Sequence, residues 1–210
     1  METYYIFDTL PPDLKNKVIE DNGEINVEYN WWDHIFYEFG KDMETQWGLL
    51  VNQKEIYFSG FWSQGDGASF TGRVDLNYKL VKELTGRPSL LTTEESEFYF
   101  LIKRISNHYS HNGTMGIESY DGEFPEDKLG SFQEFEKKVL EFARNKADDL
   151  YKILSDEYDY LTSTEQVSET LRINDYVFDV DGNLTRLKPQ NALWGSNTNP
   201  DSISLPAGFI

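Results

Sequence analysis

Between residues 55 and 75 the chain alternates large apolar with small or polar side chains on either side of Gly65-Asp66-Gly67. A two-residue period interrupted by such a turn admits an antiparallel hairpin and little else. Ile56, Phe58 and Trp62 alternate with Tyr57, Ser59 and Phe61 before the turn. Ala68, Phe70 and Val74 alternate with Ser69, Thr71 and Arg73 after it. Gly60 and Gly72 lie inside these strands and mark bulges or close backbone approach.

The remaining segments switch between this period and a helical one. Tyr4-Tyr5-Ile6-Phe7 reads as a short strand. Asp8 or Thr9 then precedes Pro11-Pro12, a start for a short helix carrying Leu14 and Val18 on one face and ended by Asp21-Asn22-Gly23. Asn30 is the expected N-cap of a helix on which Trp31, Ile35, Phe39 and Met43 recur at helical spacing. Leu76, Leu80, Val81 and Leu84 predict a helix closed by Gly86 and Pro88. Thr92 with Glu95 forms a capping box for another, carrying Phe98, Leu101, Ile102 and Ile105. The loop NHYSHNG follows, then a returning strand over 114–120 turned by Asp121-Gly122. Phe132, Phe135, Val139, Phe142, Leu150 and Leu154 mark the longest helix, capped by Ser131 with Glu134 and reaching Tyr158. Ser163 with Gln166 caps a last helix bearing Val167 and Leu171, and residues 176–184 close the pattern as a small hairpin. Few short strands mixed with helices predict a single α+β domain over residues 4–187, with helices against a small, mostly antiparallel sheet. Residues 188–210, rich in Pro, Asn, Ser and Gly, are expected to form an irregular or partly disordered tail.

Charge narrows the partners. Thirty-seven acidic against nineteen basic side chains give a net charge of −18. That balance opposes direct nucleic-acid binding and attachment to an anionic membrane, and it suits solubility or a basic partner. The absence of cysteine removes disulfides, thiolate nucleophiles and Cys-ligated zinc. No signal peptide and no membrane span are visible, so an intracellular, cytoplasmic site is expected.

Three segments carry candidate chemistry. FSGFWSQGDGASFTG, residues 58–72, sets Trp62, Ser63, Gln64, Asp66, Ser69 and Thr71 among four glycines, where a ligand can come close. A solvated hairpin turn explains the same residues. Without Lys-Ser/Thr after the glycines it is no P-loop, and without a following helix it is no dinucleotide fingerprint. The loop with His108, Tyr109, Ser110, His111 and Asn112 offers polar binding or acid–base groups. It lacks the spacing of a metal site, so no metal and no cofactor are expected. The acidic, aromatic helix over 28–47 is the third. Residues 20–44 hold eight acids and one base, Lys41, and Asp33, Glu38, Asp42 and Glu44 would meet a basic partner or imitate DNA. Asp179, Asp181, Gly182 and Asn183 look like a calcium loop, but its first and last ligands would fall on Val177 and Lys188, so an Asp-Gly hairpin is the better account.

YIFDTLPPDLKNK, Trp31-Trp32-Asp33, FSGFWSQGDGASFTG, HYSHNGTM and YVFDVDGNL together resemble, in order, a family of small bacteriophage proteins, some of whose members are labelled antitoxins. The resemblance runs from about Tyr4 to Leu184 and is most specific in the hairpin. At Ser69 the chain departs from that pattern, where cysteine is common. The resemblance implies a phage accessory, host-directed role and carries over no catalytic residue. The leading expectation is therefore an anti-defence protein that binds a nucleotide-like small molecule or a host protein. In it the 61–71 hairpin and the 108–114 loop meet in one pocket, with Gln64 and Asp66 fixing the ligand and His108 and His111 contacting a phosphate. The alternatives are an acidic interaction module working through the 28–47 helix, and a nucleotide- or nucleic-acid-processing enzyme using His108 or His111 with Asp66.

Overall fold

The computed structural model describes residues 2–87, 98–119, 124–185 and 203–205. In chain order the elements are β1 (Glu2–Ile6), α1 (Pro12–Asp21), α2 (Asp33–Trp47), β2 (Leu49–Phe58), β3 (Ala68–Asp75), α3 (Tyr78–Thr85), β4 (Tyr99–Arg104), β5 (Met115–Ser119), α4 (Glu126–Leu129), α5 (Phe132–Leu161), α6 (Thr164–Ile173), β6 (Val177–Phe178), β7 (Leu184–Thr185) and β8 (Ile203–Leu205). The chain is α+β, with two antiparallel sheets where one was expected, and it divides into two compact units. One comprises residues 1–31 and 157–210, the other residues 32–156. Among the described residues no helix is long and apolar enough to cross a membrane.

The first unit is built on the sheet β7-β6-β1-β8, with Tyr5 opposite Phe178 and Thr3 opposite Ser204. Its core joins Phe7, Leu10, Val18, Val167, Leu171 and Phe178. Pro12 opens α1, where a missing N–H is tolerated, and the Ser163 hydroxyl caps α6 by accepting from the Gln166 N–H at 3.3 Å. Asn26 ties the segment after α1 to this core. Its amide donates to the Leu161 carbonyl at 2.9 Å and accepts from the Thr170 hydroxyl at 2.7 Å.

The second unit is the sheet β2-β3-β4-β5 with helices on one face. Phe70, Val74, Phe100 and Ile102 share that face, because Val74 pairs with Phe100 and Gly72 with Ile102. Phe39 of α2 meets Phe70 edge-on at 5.5 Å, and Phe135 of α5 stacks on Phe100 at 6.0 Å, so both helices cover the same side. β2 and β3 are the hairpin read from the sequence, but β2 runs from Leu49 to Phe58. Gly60, Phe61 and Trp62, expected within its strand, therefore lie in the connection to β3. There the Asp66 carboxylate accepts the Trp62 and Ser63 N–H groups and closes a turn instead of a ladder. The ladder shifts register between Val51 and Ile56, and a Cβ at Gly72 would lie 2.6 Å from the Leu50 carbonyl oxygen. The close approach expected there is present. Asn77 caps α3, and Gly86 ends it at φ +70°.

Two further expectations fail. Phe98, Leu101, Ile102 and Ile105 do not belong to a helix, because residues 99–104 are strand β4. Phe98, Phe100 and Ile102 are buried at every second position, while Ile105 is 69% exposed. β4 lies between β3 and β5, and its half-buried Tyr99 and Leu101 add apolar side chains on the other face, which mask the alternation. Asn30 is not an N-cap either. α2 begins at Asp33 behind Trp32, with no side-chain cap, and Trp31 packs against Tyr158 in the first unit. The expected roles of Pro88, Thr92, Glu95, Asp121 and Gly122 lie outside the described residues. Of the tail, only 203–205 is described, as a strand.

Candidate functional site

A cleft of about 610 Å³ opens in the second unit where three elements meet. The β2–β3 turn contributes Gln64, Gly65, Asp66 and Gly67, the loop before β5 contributes Tyr109, His111 and Asn112, and α5 contributes Asp148 and Tyr151.

The turn is shaped by its own carboxylate. Asp66 Oδ2 accepts from the backbone N–H groups of Trp62 at 3.1 Å and Ser63 at 2.7 Å, while the Asp66 N–H donates to the Ser63 carbonyl. This is the local hydrogen bonding that makes aspartate a turn residue. Oδ1 accepts no hydrogen bond from the described residues. Gly67 then lets the second segment in. A Cβ there would sit 2.5 Å from His111 Cβ and 2.8 Å from His111 Cα, closer than real atoms approach. The two glycine-punctuated segments, 44 residues apart at this contact, therefore touch backbone to backbone only because residue 67 has no side chain.

The loop is held from below and from the side. Arg104 donates to the Tyr109 carbonyl at 2.8 Å, and its guanidinium lies 4.0 Å from the centre of the Tyr57 ring. His111 Nδ1 accepts from the Gly113 N–H at 3.0 Å, which leaves Nε2 as the proton-bearing nitrogen of the neutral ring. Its ring stacks with Tyr109 at 5.6 Å and 22°. The Asn112 amide donates to both carboxylate oxygens of Asp148 at 2.8 Å, fastening the loop to α5. The Tyr151 hydroxyl donates to the Gly60 carbonyl at 2.9 Å, fastening the turn to the same helix. Burial, and then the neighbouring Asp66 carboxylate, hold the Tyr151 hydroxyl above the usual phenol range.

A family model described as a domain of unknown function (DUF8835) matches residues 31–164, more than half of the chain. The chain belongs to that family. The DUF8835 segment encloses the whole second unit, and with it every residue of the cleft. No curated protein and no solved structure matches.

Within the DUF8835 segment the structure sorts the residues named from sequence. Gln64, Asp66, Tyr109, His111 and Asn112 line the cleft together. Trp62, Ser63, Ser69, Thr71 and His108 do not. Trp62 and Ser63 shape the turn through their backbone N–H groups. Ser69 is fully buried on β3, its hydroxyl without a partner among the described residues. Thr71 donates to Glu55 across the hairpin, and His108 is exposed, edge-on to Tyr109. Asp148 and Tyr151 escaped the sequence reading. They stand beside Ala147 and Leu150 on a helix whose dominant signal is its core stripe. Their one visible sign is a polar pair at i, i+3 on its flank.

Asp33, Glu38, Asp42 and Glu44 are all exposed on α2. At about 100° per residue Glu38 and Asp42 share one edge of the exposed side and Asp33 and Glu44 the other, with His34 and Lys41 between them. The carboxylates form two separate pairs rather than one stripe. Among the described residues no group of three or more His, Asp or Glu side chains is placed to hold a metal ion.

Proposed function

We propose that the protein acts by binding a small, nucleotide-like molecule in the cleft between the β2–β3 turn and the 109–112 loop. On the resemblance to bacteriophage accessory proteins, we further propose that it does so in the cytoplasm of an infected cell, withholding that molecule from a host defence or regulatory system. The observation that supports binding is the Gly67–His111 contact. It brings together Gln64, Asp66 and Asn112, polar groups from distant segments, around a space whose volume lies in the range of small-molecule sites, about 300–1,000 Å³. Hydrogen bonds from Asn112 and Tyr151 fix both segments on one long helix, so the groups are arranged before a ligand arrives.

Thermal unfolding of the full chain with a panel of linear and cyclic nucleotides and nucleosides tests this. One class is expected to raise the melting temperature in a saturable way, since a ligand that binds only the folded state stabilises it. Gln64→Ala and Asn112→Ala should remove that rise while leaving the unliganded chain folded. A panel without effect at millimolar concentration overturns the reading. The division of the α2 carboxylates into two pairs around Lys41 makes that helix a weaker match to a basic partner or a DNA-binding site than a continuous stripe would be.

A further inference from the structure

We propose that the cleft takes the uncharged, donor-bearing ring of a nucleoside or free base and discriminates against its phosphorylated forms. This rests on the reading of the cleft as a small-molecule site and adds the charge class of its ligand.

The lining is rich in acceptors and poor in positive charge. Asp66 and Asp148 bring two carboxylates and Gln64 an amide, and no lysine or arginine is among the described residues that line the space. The guanidinium that could have answered a phosphate, on Arg104, is committed elsewhere. It donates to the Tyr109 carbonyl and lies over the Tyr57 ring, while its Nε is buried away from the space with no partner among the described residues. His111 has one nitrogen occupied by the Gly113 N–H, so it presents a single donor beside two carboxylates. Such groups match the amino and ring N–H donors of a base, and Asp66 Oδ1 is the acceptor that no described residue uses. The Tyr109–His111 ring pair, 22° from parallel, supplies a flat apolar edge beside them. A phosphate would instead place full negative charge near both carboxylates, inside a screening length of about 8–10 Å at moderate salt. Tyr151 already registers the Asp66 charge, which contributes to holding its proton on.

Calorimetric titration of the full chain with adenosine, guanosine, cytidine and uridine, each beside its 5′-monophosphate, and with inorganic phosphate, tests the proposal. At least one nucleoside is expected to bind roughly tenfold more tightly than its monophosphate at low salt, with the gap shrinking in 0.5 M salt. Asp148→Asn keeps an acceptor for Asn112 and should narrow the gap. Inorganic phosphate should not compete. A monophosphate that binds as tightly as its nucleoside, or competition by phosphate, overturns this proposal and leaves the small-ligand reading standing. Silence from every nucleoside and nucleotide overturns both.

Discussion

Two hairpin turns in this chain are written in nearly the same letters and end in different surroundings. One, Gly65-Asp66-Gly67, lies between β2 and β3; the other, Asp179 with Asp181-Gly182-Asn183, lies between β6 and β7. In both an aspartate accepts backbone N–H groups and a glycine lets another segment come close. Asp179 spends both oxygens. Oδ1 accepts from the Asp181 and Asn183 N–H groups, and Oδ2 from the Asn183 amide. Its glycine, at φ +82°, presses on Leu14 and Val18 of its own unit's core. Asp66 spends one oxygen, and its glycine presses on His111 at the edge of a cleft. Turn chemistry therefore does not separate a hairpin that closes on its own core from one that edges a cleft. What separates them is whether the carboxylate keeps an acceptor in reserve and what the glycine touches.

The sharpest way to break that contrast is to fill both glycines. Gly182→Val meets both the left-handed backbone and the Leu14 methyl 2.8 Å away, so a loss of about 2–4 kcal/mol is expected in urea unfolding, with ligand binding unchanged. Gly67→Val meets His111 Cα and Cβ, which cannot swing aside as a methyl can. A loss of about 1–3 kcal/mol is expected, together with all measurable binding, because the loop must leave the turn. If Gly67→Val binds normally, the two turns are alike after all.

The same contrast shows where sequence runs out. The β2–β3 hairpin (apart from where its first strand ends), α3 with Gly86, α6 with Ser163 and the 176–184 hairpin are legible because their periods and caps are local. That the 61–71 hairpin meets the 108–114 loop is not written locally, since a glycine announces a close approach but not its partner, here His111 against Gly67. β4 reads as a helix because its half-buried outer face fills in the alternation, leaving an apolar run without a clean period. Asp148 and Tyr151 were hidden on a helix whose apolar stripe explains itself, and only the arrival of the 109–112 loop and the Gly60 carbonyl gives them a role.

The next effect is smaller and depends on pH. The hydrogen bonds from Asn183, its side chain first, hold the Asp179 carboxyl below the usual carboxylate range. A depressed folded-state pKa stabilises the fold above the unfolded value, near 4, and that contribution is lost as pH falls through the folded value. Asp179→Asn should therefore be less stable than the parent at pH 6, by under about 1 kcal/mol because the group is solvated, and should converge with it as pH falls through the folded value. Tyr151→Phe tests the other turn with the opposite sign. It removes the bond to the Gly60 carbonyl, at about 0.5–1.5 kcal/mol. The raised phenol pKa stabilises the fold below the unfolded value, near 10, and that part disappears as pH rises past the folded value. Urea midpoints for Tyr151→Phe and the parent should converge only in alkali, and a gap independent of pH would remove the electrostatic part of the argument.

The smallest effect is expected from the exposed carboxylates of α2. Glu38→Lys with Asp42→Lys changes the net charge by four on one edge of α2, where both side chains are exposed and neither pairs with a described cation. Exposed substitutions of this kind move stability by about 0.5 kcal/mol or less. If ligand choice is governed by Asp66 and Asp148 at the cleft, the nucleoside affinity should stay within about twofold at 0.15 M salt, where distant charges are screened. A severalfold change would mean that the field of the whole chain, rather than the turn's reserved oxygen, governs capture. The same variant also tests α2 as a working surface. If the proposed host-directed activity is found and this variant abolishes it while Gly67→Val does not, the two-pair helix is what a partner reads, and the cleft is not the working site.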